Sequence, residues 1–145
     1  MQPTTFHSRL PRAGIDTIDD AGAALSTLLM AVHRPLRAET IVLVLDEARR
    51  GRTIVVVTET NDADSAIEVV ECLTQGMDHP GAIVVGSVRP KAIDAASDPA
   101  APGDVDRWLE MSEIASLVGV ELLEWFVIGR SVRCPRDELG EAPRW

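Results

Sequence analysis

Two runs of β-branched residues, separated by a short polar turn, dominate the first half of the chain. They lie in the segment TIVLVLDEARRGRTIVVVTET, residues 40–60, and the turn between them contains Gly51. Short β-branched runs bounded by turn residues are typical of strands, and two of them joined in this way predict a β-hairpin. Because both runs are almost unbroken in apolar character, we expect both strands to be buried on both faces.

The rest of the chain alternates between helical and strand patterns. Apolar residues recur at helical spacing in residues 17–35, 62–76 and 103–119, and short apolar runs indicate strands at 81–88, 120–129 and 131–134. The helix at 62–76 lies between two strands, an order that favours a parallel neighbour for the strand at 81–88. Asp104 is a candidate N-cap of the third helix. The order predicts an α/β fold with a mixed central sheet flanked by helices.

The length of 145 residues and the hydrophobic fraction of 46% suit one domain with a substantial core. We expect that domain to span residues 16–145. Residues 1–15 contain two prolines and few apolar positions, so an irregular N-terminal arm is predicted there. Residues 91–104 are rich in small residues and proline, which predicts a long surface loop within the domain.

The charge of the chain makes nucleic acid an unfavourable partner. The formal net charge is -9, and phosphate backbones are bound through Lys and Arg side chains. Four arginines gather near the C-terminus, but Asp137, Glu138 and Glu141 are interleaved with them, so a mixed solvated surface is predicted. These arginines are Arg130, Arg133, Arg136 and Arg144.

Other patterns bear on location and on the cysteines. The sequence shows neither an apolar run of membrane-spanning length nor the apolar core of a signal peptide, so we expect a cytoplasmic protein. Cys72 and Cys134 lack the spacing of a zinc ribbon or a redox pair, which favours reduced thiols. Cys134 stands between two arginines, an environment that lowers a thiol pKa in nucleophilic cysteines, but a small core residue is the preferred interpretation.

Three segments resemble the JAMM/JAB (MPN) family of metal-dependent hydrolases, in particular its bacterial RadC-like branch. They are AETIVLVLDEARR, AIVVGSVRP and VELLEWFVIG, and the likeness runs over residues 36–133. The resemblance implies the JAMM/JAB fold, which is cytidine-deaminase-like. In this family a His-x-His-Pro motif and an aspartate hold zinc, and a glutamate acts as general base through the zinc-bound water.

The resemblance places the two histidine positions of the motif at Ser87 and Arg89. Asp106 corresponds to the metal-binding aspartate, and Glu39 to the general base. A serine is a poor zinc ligand at neutral pH, and an arginine brings a fixed positive charge to the place of the cation. The chain therefore resembles a degenerate member of the family, with the metal site lost and no cofactor expected.

Two alternatives stay open for Arg89. Its guanidinium either forms a salt bridge with Asp106, and in addition with Glu39, or the long loop carries it out to solvent. His7, His33 and His79 are interpreted as structural or surface residues. A surface formed by Arg89, Asp106, Trp125 and Trp145 is the predicted contact region for a protein partner or small ligand.

These observations favour a non-catalytic binding or scaffolding domain over an enzyme. The alternative is a metal-dependent, peptidase-like hydrolase with rearranged ligands such as Asp106, Glu39, Asp94 or Asp98, or one that uses Cys134. A weaker alternative, implied by the description of RadC as a DNA repair protein, is a role in DNA repair. The sequence identifies neither ligand nor partner, and it leaves a homodimer open.

Overall fold

A five-stranded mixed sheet lies at the centre of the protein, flanked by helices. The computed structural model describes residues 10–76 and 81–145. The strands are β1 (Glu39–Leu45), β2 (Gly51–Thr58), β3 (Ala82–Val88), β4 (Glu121–Ile128) and β5 (Val132–Arg133). The helices are α1 (Ala21–Ala31), α2 (Ala63–Gly76), α3 (Asp104–Leu117) and α4 (Pro135–Leu139). The prediction of a single α/β domain with a mixed sheet flanked by helices is confirmed.

The strands lie in the order β2-β1-β3-β4-β5. The predicted hairpin is confirmed, because β1 pairs with β2 in antiparallel register with Val42 opposite Val55. β1 is also antiparallel to β3, whereas β3 is parallel to β4 across the connection through α3. The parallel neighbour of β3 is therefore β4. β2, which precedes α2, lies one strand further away, on the other side of β1.

Each face of the sheet carries its own helices and its own hydrophobic cluster. On the α1 face, Ile41 and Leu43 of β1 pack with Leu28 of α1. On the α2/α3 face, the alternate residues Val42 and Val44 pack in the cluster that includes residues of α2 and α3. This alternation follows from the pleat of the strands, in which successive side chains point to opposite faces. The face on which a site residue lies is thus set by its parity along the strand.

The prediction of burial on both faces is confirmed for β1 and wrong for β2. All seven residues of β1 are buried, since strands lie on both sides of it and helices on both faces. β2 is an edge strand in which every residue is exposed or half-buried. Ile54 and Val56 remain 37% and 38% exposed. An apolar run identifies a strand, but it does not identify the position of that strand in the sheet.

The described part of the predicted N-terminal arm, residues 10–15, forms turns beside the hairpin. Gly14 donates a backbone hydrogen bond to the carbonyl of Gly51 at 2.8 Å, and Ile18 donates one to Arg49 at 2.7 Å. Residues 1–9 of the arm, with His7, and residues 77–80, with His79, lie outside the described residues. None of the helices in the described ranges has the length and apolarity needed to cross a membrane.

Gly129 allows the chain to turn sharply after β4. A Cβ atom at this position would lie 2.5 Å from the carbonyl oxygen of Arg89, and it would also overlap the carbonyl oxygen of Ala92. Both obstacles are backbone atoms that cannot rotate away. We expect Gly129→Ala to lower the free energy of unfolding by about 1–3 kcal/mol, as overpacking does in protein interiors.

Urea denaturation followed by circular dichroism measures this change. Gly76→Ala is the matched control, since Gly76 ends α2 and a Cβ added there meets no atom of the described residues outside its own helix within 4 Å. An equal loss of stability in the two variants would contradict the explanation based on backbone overlap.

Candidate functional site

The end of β3 carries the two residues that the resemblance places at the histidine positions. Ser87 and Arg89 lie on the α2/α3 face, in line with Ile83 and Val85. The Ser87 hydroxyl accepts a hydrogen bond from the indole Nε1 of Trp125 at 2.9 Å, and both side chains are fully buried. The serine is therefore part of the packed interior at the point where β3 and β4 lie side by side.

Arg89 is buried and its guanidinium is held on several sides. It is 3% exposed. Its two terminal nitrogens donate to the two carboxylate oxygens of Asp104 at 2.7 and 3.0 Å, which is a bidentate ion pair. Nη1 also donates to Asp98 at 2.9 Å, and Nε donates to the backbone carbonyl of Asn61 at 2.8 Å. The guanidinium lies 5.9 Å from the ring centroid of Trp125, within the range of a cation–π contact.

A second arginine completes the arrangement. Nη2 of Arg133, in β5, donates to Asp98 at 2.9 Å and to Asp104 at 2.8 Å. We call Arg89, Asp98, Asp104 and Arg133 the arginine–aspartate cluster. Two cations and two anions balance within it, as buried charges require. Glu138 of α4 accepts from Nη1 of Arg133 at 2.8 Å at the border of the cluster.

Hydrogen bonding outweighs burial in setting the charge states of the cluster. Burial acts to raise the pKa of Asp98, but hydrogen bonds from the Ala100 backbone, Arg89 and Arg133 together hold that pKa below its usual value. Burial likewise acts to lower the pKa of Arg89, and its bonds to Asp104 and Asp98 raise it instead. The charged forms of Asp98 and Arg89 are thus favoured.

Arg89 does form a salt bridge, but the prediction that Asp106 is its partner is wrong. Arg89 is neither carried out to solvent nor paired with Asp106, since Asp98 and Asp104 bind it. Asp104 is the first residue of α3, and Asp106 is exposed two residues later. Residues two apart on a helix point in different directions, so only one of these aspartates can face the end of β3. The expected role of Asp104 as an N-cap is also wrong, because Gly103 occupies that position.

Glu39 lies on the opposite side of the sheet from Ser87. It is directly opposite Val88 in the register and shares the α1 face with Ile41. Its carboxylate accepts from the backbone N–H of His33 at 3.1 Å and lies 2.9 Å from Nδ1 of that histidine. The sheet separates the two residues, so Glu39 does not belong to the site at the end of β3.

The predicted contact surface of Arg89, Asp106, Trp125 and Trp145 is not assembled. Arg89 is buried in the cluster, and Trp125 is fully buried in the core of the α2/α3 face. Trp145 is half-buried and packs against the hydrophobic cluster of the α1 face. Among the four, Asp106 alone is exposed. The interpretation of Trp125 as a core residue is confirmed.

The prediction of a mixed solvated surface near the C-terminus is wrong for three of the four arginines. Arg133 belongs to the cluster, and Arg136 is buried with its Nε 3.0 Å from the Glu124 carboxylate. The guanidinium of Arg144 lies 4.3 Å from the ring centroid of Trp108. These side chains are committed to contacts within the protein.

Cys134 is half-buried beside these charges. Burial raises the pKa of its thiol to about 12, and the negative charge of Glu124 acts in the same direction. A thiol with so high a pKa is protonated near neutral pH and is a weak nucleophile. The preferred interpretation of this residue, a small packed side chain, agrees with that environment.

The long loop folds back over the end of β3. Ala92 and Ala101 are buried, and Asp98 brings the middle of the loop into the cluster. Outside the loop a groove of about 290 Å³ is left, lined by Asn61, Arg89, residues 90–92 and residues 98–100. Lys91, the single lysine of the chain, is exposed there. The loop thus covers the cluster and leaves a shallow groove beside it.

Sequence reasoning missed the residues that complete the site. The sequence predicts a surface position for Arg133, and it gives no signal for the contact of Arg89 with the Asn61 carbonyl. The sequence indicates Asp98 only as a candidate metal ligand and Asp104 only as a candidate helix cap. The sequence does contain a usable signal. An arginine follows β3 directly, and the loop and helix start after it carry aspartates. Because a buried arginine requires a carboxylate partner, these aspartates are candidates for that role.

The residues at the end of β3 do not suit zinc. The Ser87 hydroxyl is engaged by Trp125, and the Arg89 guanidinium occupies the space beside Asp104. Within residues 10–76 and 81–145, no three His, Cys, Asp or Glu side chains are grouped so as to hold a metal ion.

Comparisons with protein-family models and with curated proteins identify no related protein. No protein-family model matches the sequence, and a search of curated proteins gives no significant match. Fold and site together define the class of protein, an α/β protein in which a buried arginine–aspartate cluster closes the end of a parallel strand pair.

Removal of Arg89 tests how much the cluster stabilises the fold. We expect Arg89→Met to lower the free energy of unfolding by about 3–5 kcal/mol, because two carboxylates lose a buried cation. Chemical denaturation measures the loss. Arg107→Met is the matched control. Arg107 pairs with Glu110 on the surface and is 40% exposed, so its loss should cost less than about 1 kcal/mol. Similar losses in both variants would contradict a buried ion pair.

The lowered pKa of Asp98 gives the cluster a pH dependence. A carboxyl group with a lowered folded-state pKa stabilises the protein above its unfolded value, and this contribution is lost as the pH falls through the folded-state pKa. We therefore expect wild type to be more stable than Asp98→Asn above pH 3.8, the ordinary value, and the difference to shrink at more acid pH. Denaturation curves of both proteins across the acid range measure it. A difference that is constant with pH would contradict the assignment.

Proposed function

We propose that this protein is a non-catalytic binding or scaffolding domain derived from a RadC-like JAMM hydrolase, and that it acts in the cytoplasm. The observation that carries the proposal is the bidentate pair between Arg89 and Asp104. In the resemblance, Arg89 occupies the position of the second zinc-binding histidine. A guanidinium fixed at that place supplies positive charge from within the chain, where the hydrolases of the family use a metal ion.

The surroundings of the pair support the loss of metal chemistry. A divalent cation next to Arg89 would meet electrostatic repulsion, and a second cation, Arg133, lies against the same carboxylates. The carboxylate oxygens of Asp104 and Oδ2 of Asp98 already accept hydrogen bonds from these arginines. The two carboxylates would have to lose their hydrogen bonds to the arginines before they could bind a metal ion.

The positions of the alternative ligands disfavour a rearranged hydrolase. Asp98 is held in the cluster, Asp94 and Asp106 are exposed, and Glu39 lies on the other face of the sheet. Cys134 is a protonated thiol near neutral pH. A role on DNA has less support, since the net charge is -9 and three of the C-terminal arginines are held in contacts within the protein.

The groove beside the cluster is the ligand site in this proposal. The groove is shallow and about 290 Å³ in volume. Such a groove can bind a short peptide segment or a small ligand, whereas enzymes usually enclose their substrates in deeper pockets. Lys91 at its border favours an acidic group on that ligand. The cytoplasmic assignment is supported by the two free cysteines, of which Cys72 is exposed.

Metal content tests the proposal directly. Untagged protein is purified with zinc present and without chelators, dialysed against metal-free buffer and analysed by mass spectrometry. We expect far less than one zinc per chain, and no rise in melting temperature on addition of zinc. The matched variants are Asp104→Asn, in the cluster, and Asp106→Asn, on the surface. About one zinc per wild-type chain, lost in Asp104→Asn and kept in Asp106→Asn, would overturn the proposal.

A further inference from the structure

β2 is an apolar strand at an edge of the sheet. It pairs with β1 on one side. On its other side the start of the strand is bound by the N-terminal segment, since Gly14 donates to the carbonyl of Gly51 at 2.8 Å and Thr17 forms a bridge with Arg50. Within the described residues no strand covers the rest of that side. Ile54 and Val56 point to the α1 face and Val55 and Val57 to the other face, in line with their partners in β1. Edge strands of monomers are normally protected by proline, lysine or a bulge. β2 has one register shift, at Arg52 near its start. The stretch from Thr53 to Thr58 has no proline or lysine and pairs in regular register.

The backbone of β2 also presents groups that can pair with another strand. Glu59 donates its N–H to the carbonyl of Ala38 at 2.8 Å, next to β1. Antiparallel pairing alternates along a strand, so Val57 and Val55 direct their N–H and C=O groups toward β1. The N–H and C=O groups of Ile54 and Val56 therefore point outward. They form a row of donors and acceptors along the open edge.

Apolar grooves flank this edge on both faces. One groove, of about 500 Å³, lies between β2 and α2 and is lined in part by Val55, Val57 and Leu73. The other, of about 310 Å³, is lined in part by Ile54 and by Leu43 of β1. A strand added at the edge would bring side chains over both grooves, because its residues alternate between the two faces.

The charges at the two ends of β2 indicate what that strand is. Arg50 and Arg52 are exposed at its start, and Glu59 and Asp62 are exposed after its end. For Arg52 and Glu59 the structure shows no ion pair with any described residue. When two copies of this strand pair antiparallel, the basic start of each lies beside the acidic end of the other. The strand is thus complementary in charge to itself.

We propose that β2 pairs with β2 of a second copy, antiparallel and centred on Val55, and joins the two five-stranded sheets across a two-fold axis. In this register Ile54 of one copy lies opposite Val56 of the other, and the outward backbone groups of both residues are satisfied. An isologous contact of this kind closes on itself and yields a dimer. The inference does not depend on the proposed function, because the cluster and its groove lie at the end of β3.

The test is the oligomeric state of the full chain and of two lysine variants, measured by sedimentation and light scattering over a dilution series. We expect wild type to have twice the chain mass of 15.7 kDa. Val56→Lys places a charge at the centre of the contact and should give monomers. Leu117→Lys, the matched control, changes a residue that is 79% exposed on α3 and should stay dimeric. Circular dichroism checks that both variants fold.

A charge exchange tests the antiparallel arrangement without altering the apolar strand. Arg52→Glu should weaken the dimer by about tenfold, since the contact contains this arginine twice. Adding Glu59→Arg in the same chain should restore wild-type affinity. Amide hydrogen exchange gives an independent measurement, because the N–H groups of Ile54 and Val56 should be protected in the dimer and lose protection on dilution.

Three results would overturn the proposal. These are a monomeric wild type at all concentrations with rapid exchange at Ile54 and Val56, a dimer that Val56→Lys leaves intact, and a charge exchange that does not restore the dimer. The first would leave the edge to a different protein, and the second would place the dimer contact on another surface. None of these variants changes a residue of the arginine–aspartate cluster, so this test and the zinc test of the proposed function fail separately.

Discussion

The ion pair between Arg89 and Asp104 joins parts of the chain that are distant in sequence. Through Arg89 the end of β3 is bound to the start of α3, and through Asp98 and Arg133 the long loop and β5 are bound to the same point. The bond from Arg89 to the carbonyl of Asn61 adds the segment before α2. Because a buried charge is stable only with its counter-charges in place, these segments hold their positions together.

The location of the cluster matters for what the protein can do. In α/β sheets the carboxyl ends of parallel strands are the usual place for a ligand, because loops and helix starts converge there. β3 and β4 are the parallel pair of this sheet, and their carboxyl ends lie beside Arg89 and Gly129. The protein fills this place with its own side chains. A ligand is left with the shallow groove outside the loop.

The sequence predicted the elements well and the contacts between them poorly, for identifiable physical reasons. Apolar periodicity located the sheet strands and the three longer helices, since burial imposes it locally. The sequence predicts Asp106 as the partner of Arg89, and the structure shows Asp104. These residues are two positions apart on α3, so Asp106 is exposed and Asp104 is buried. Glu39 was grouped with Ser87, although strand parity puts them on opposite faces once the register is known. The rotation of a helix about its axis and the register of a strand depend on the elements packed against them, so the sequence of one segment alone does not determine either.

The contrast between the two cysteines has a practical consequence. Thiol reagents attack the thiolate, and burial raises the pKa of Cys134 to about 12, so this cysteine should react far more slowly than an exposed thiol at mildly alkaline pH. Cys72 is exposed and lines the groove beside Val55 and Val57. We therefore expect thiol reagents to place a fluorophore or spin label selectively on Cys72, next to the sheet edge, without any engineered cysteine. Spectroscopy on that label observes the edge strand in the unmutated protein.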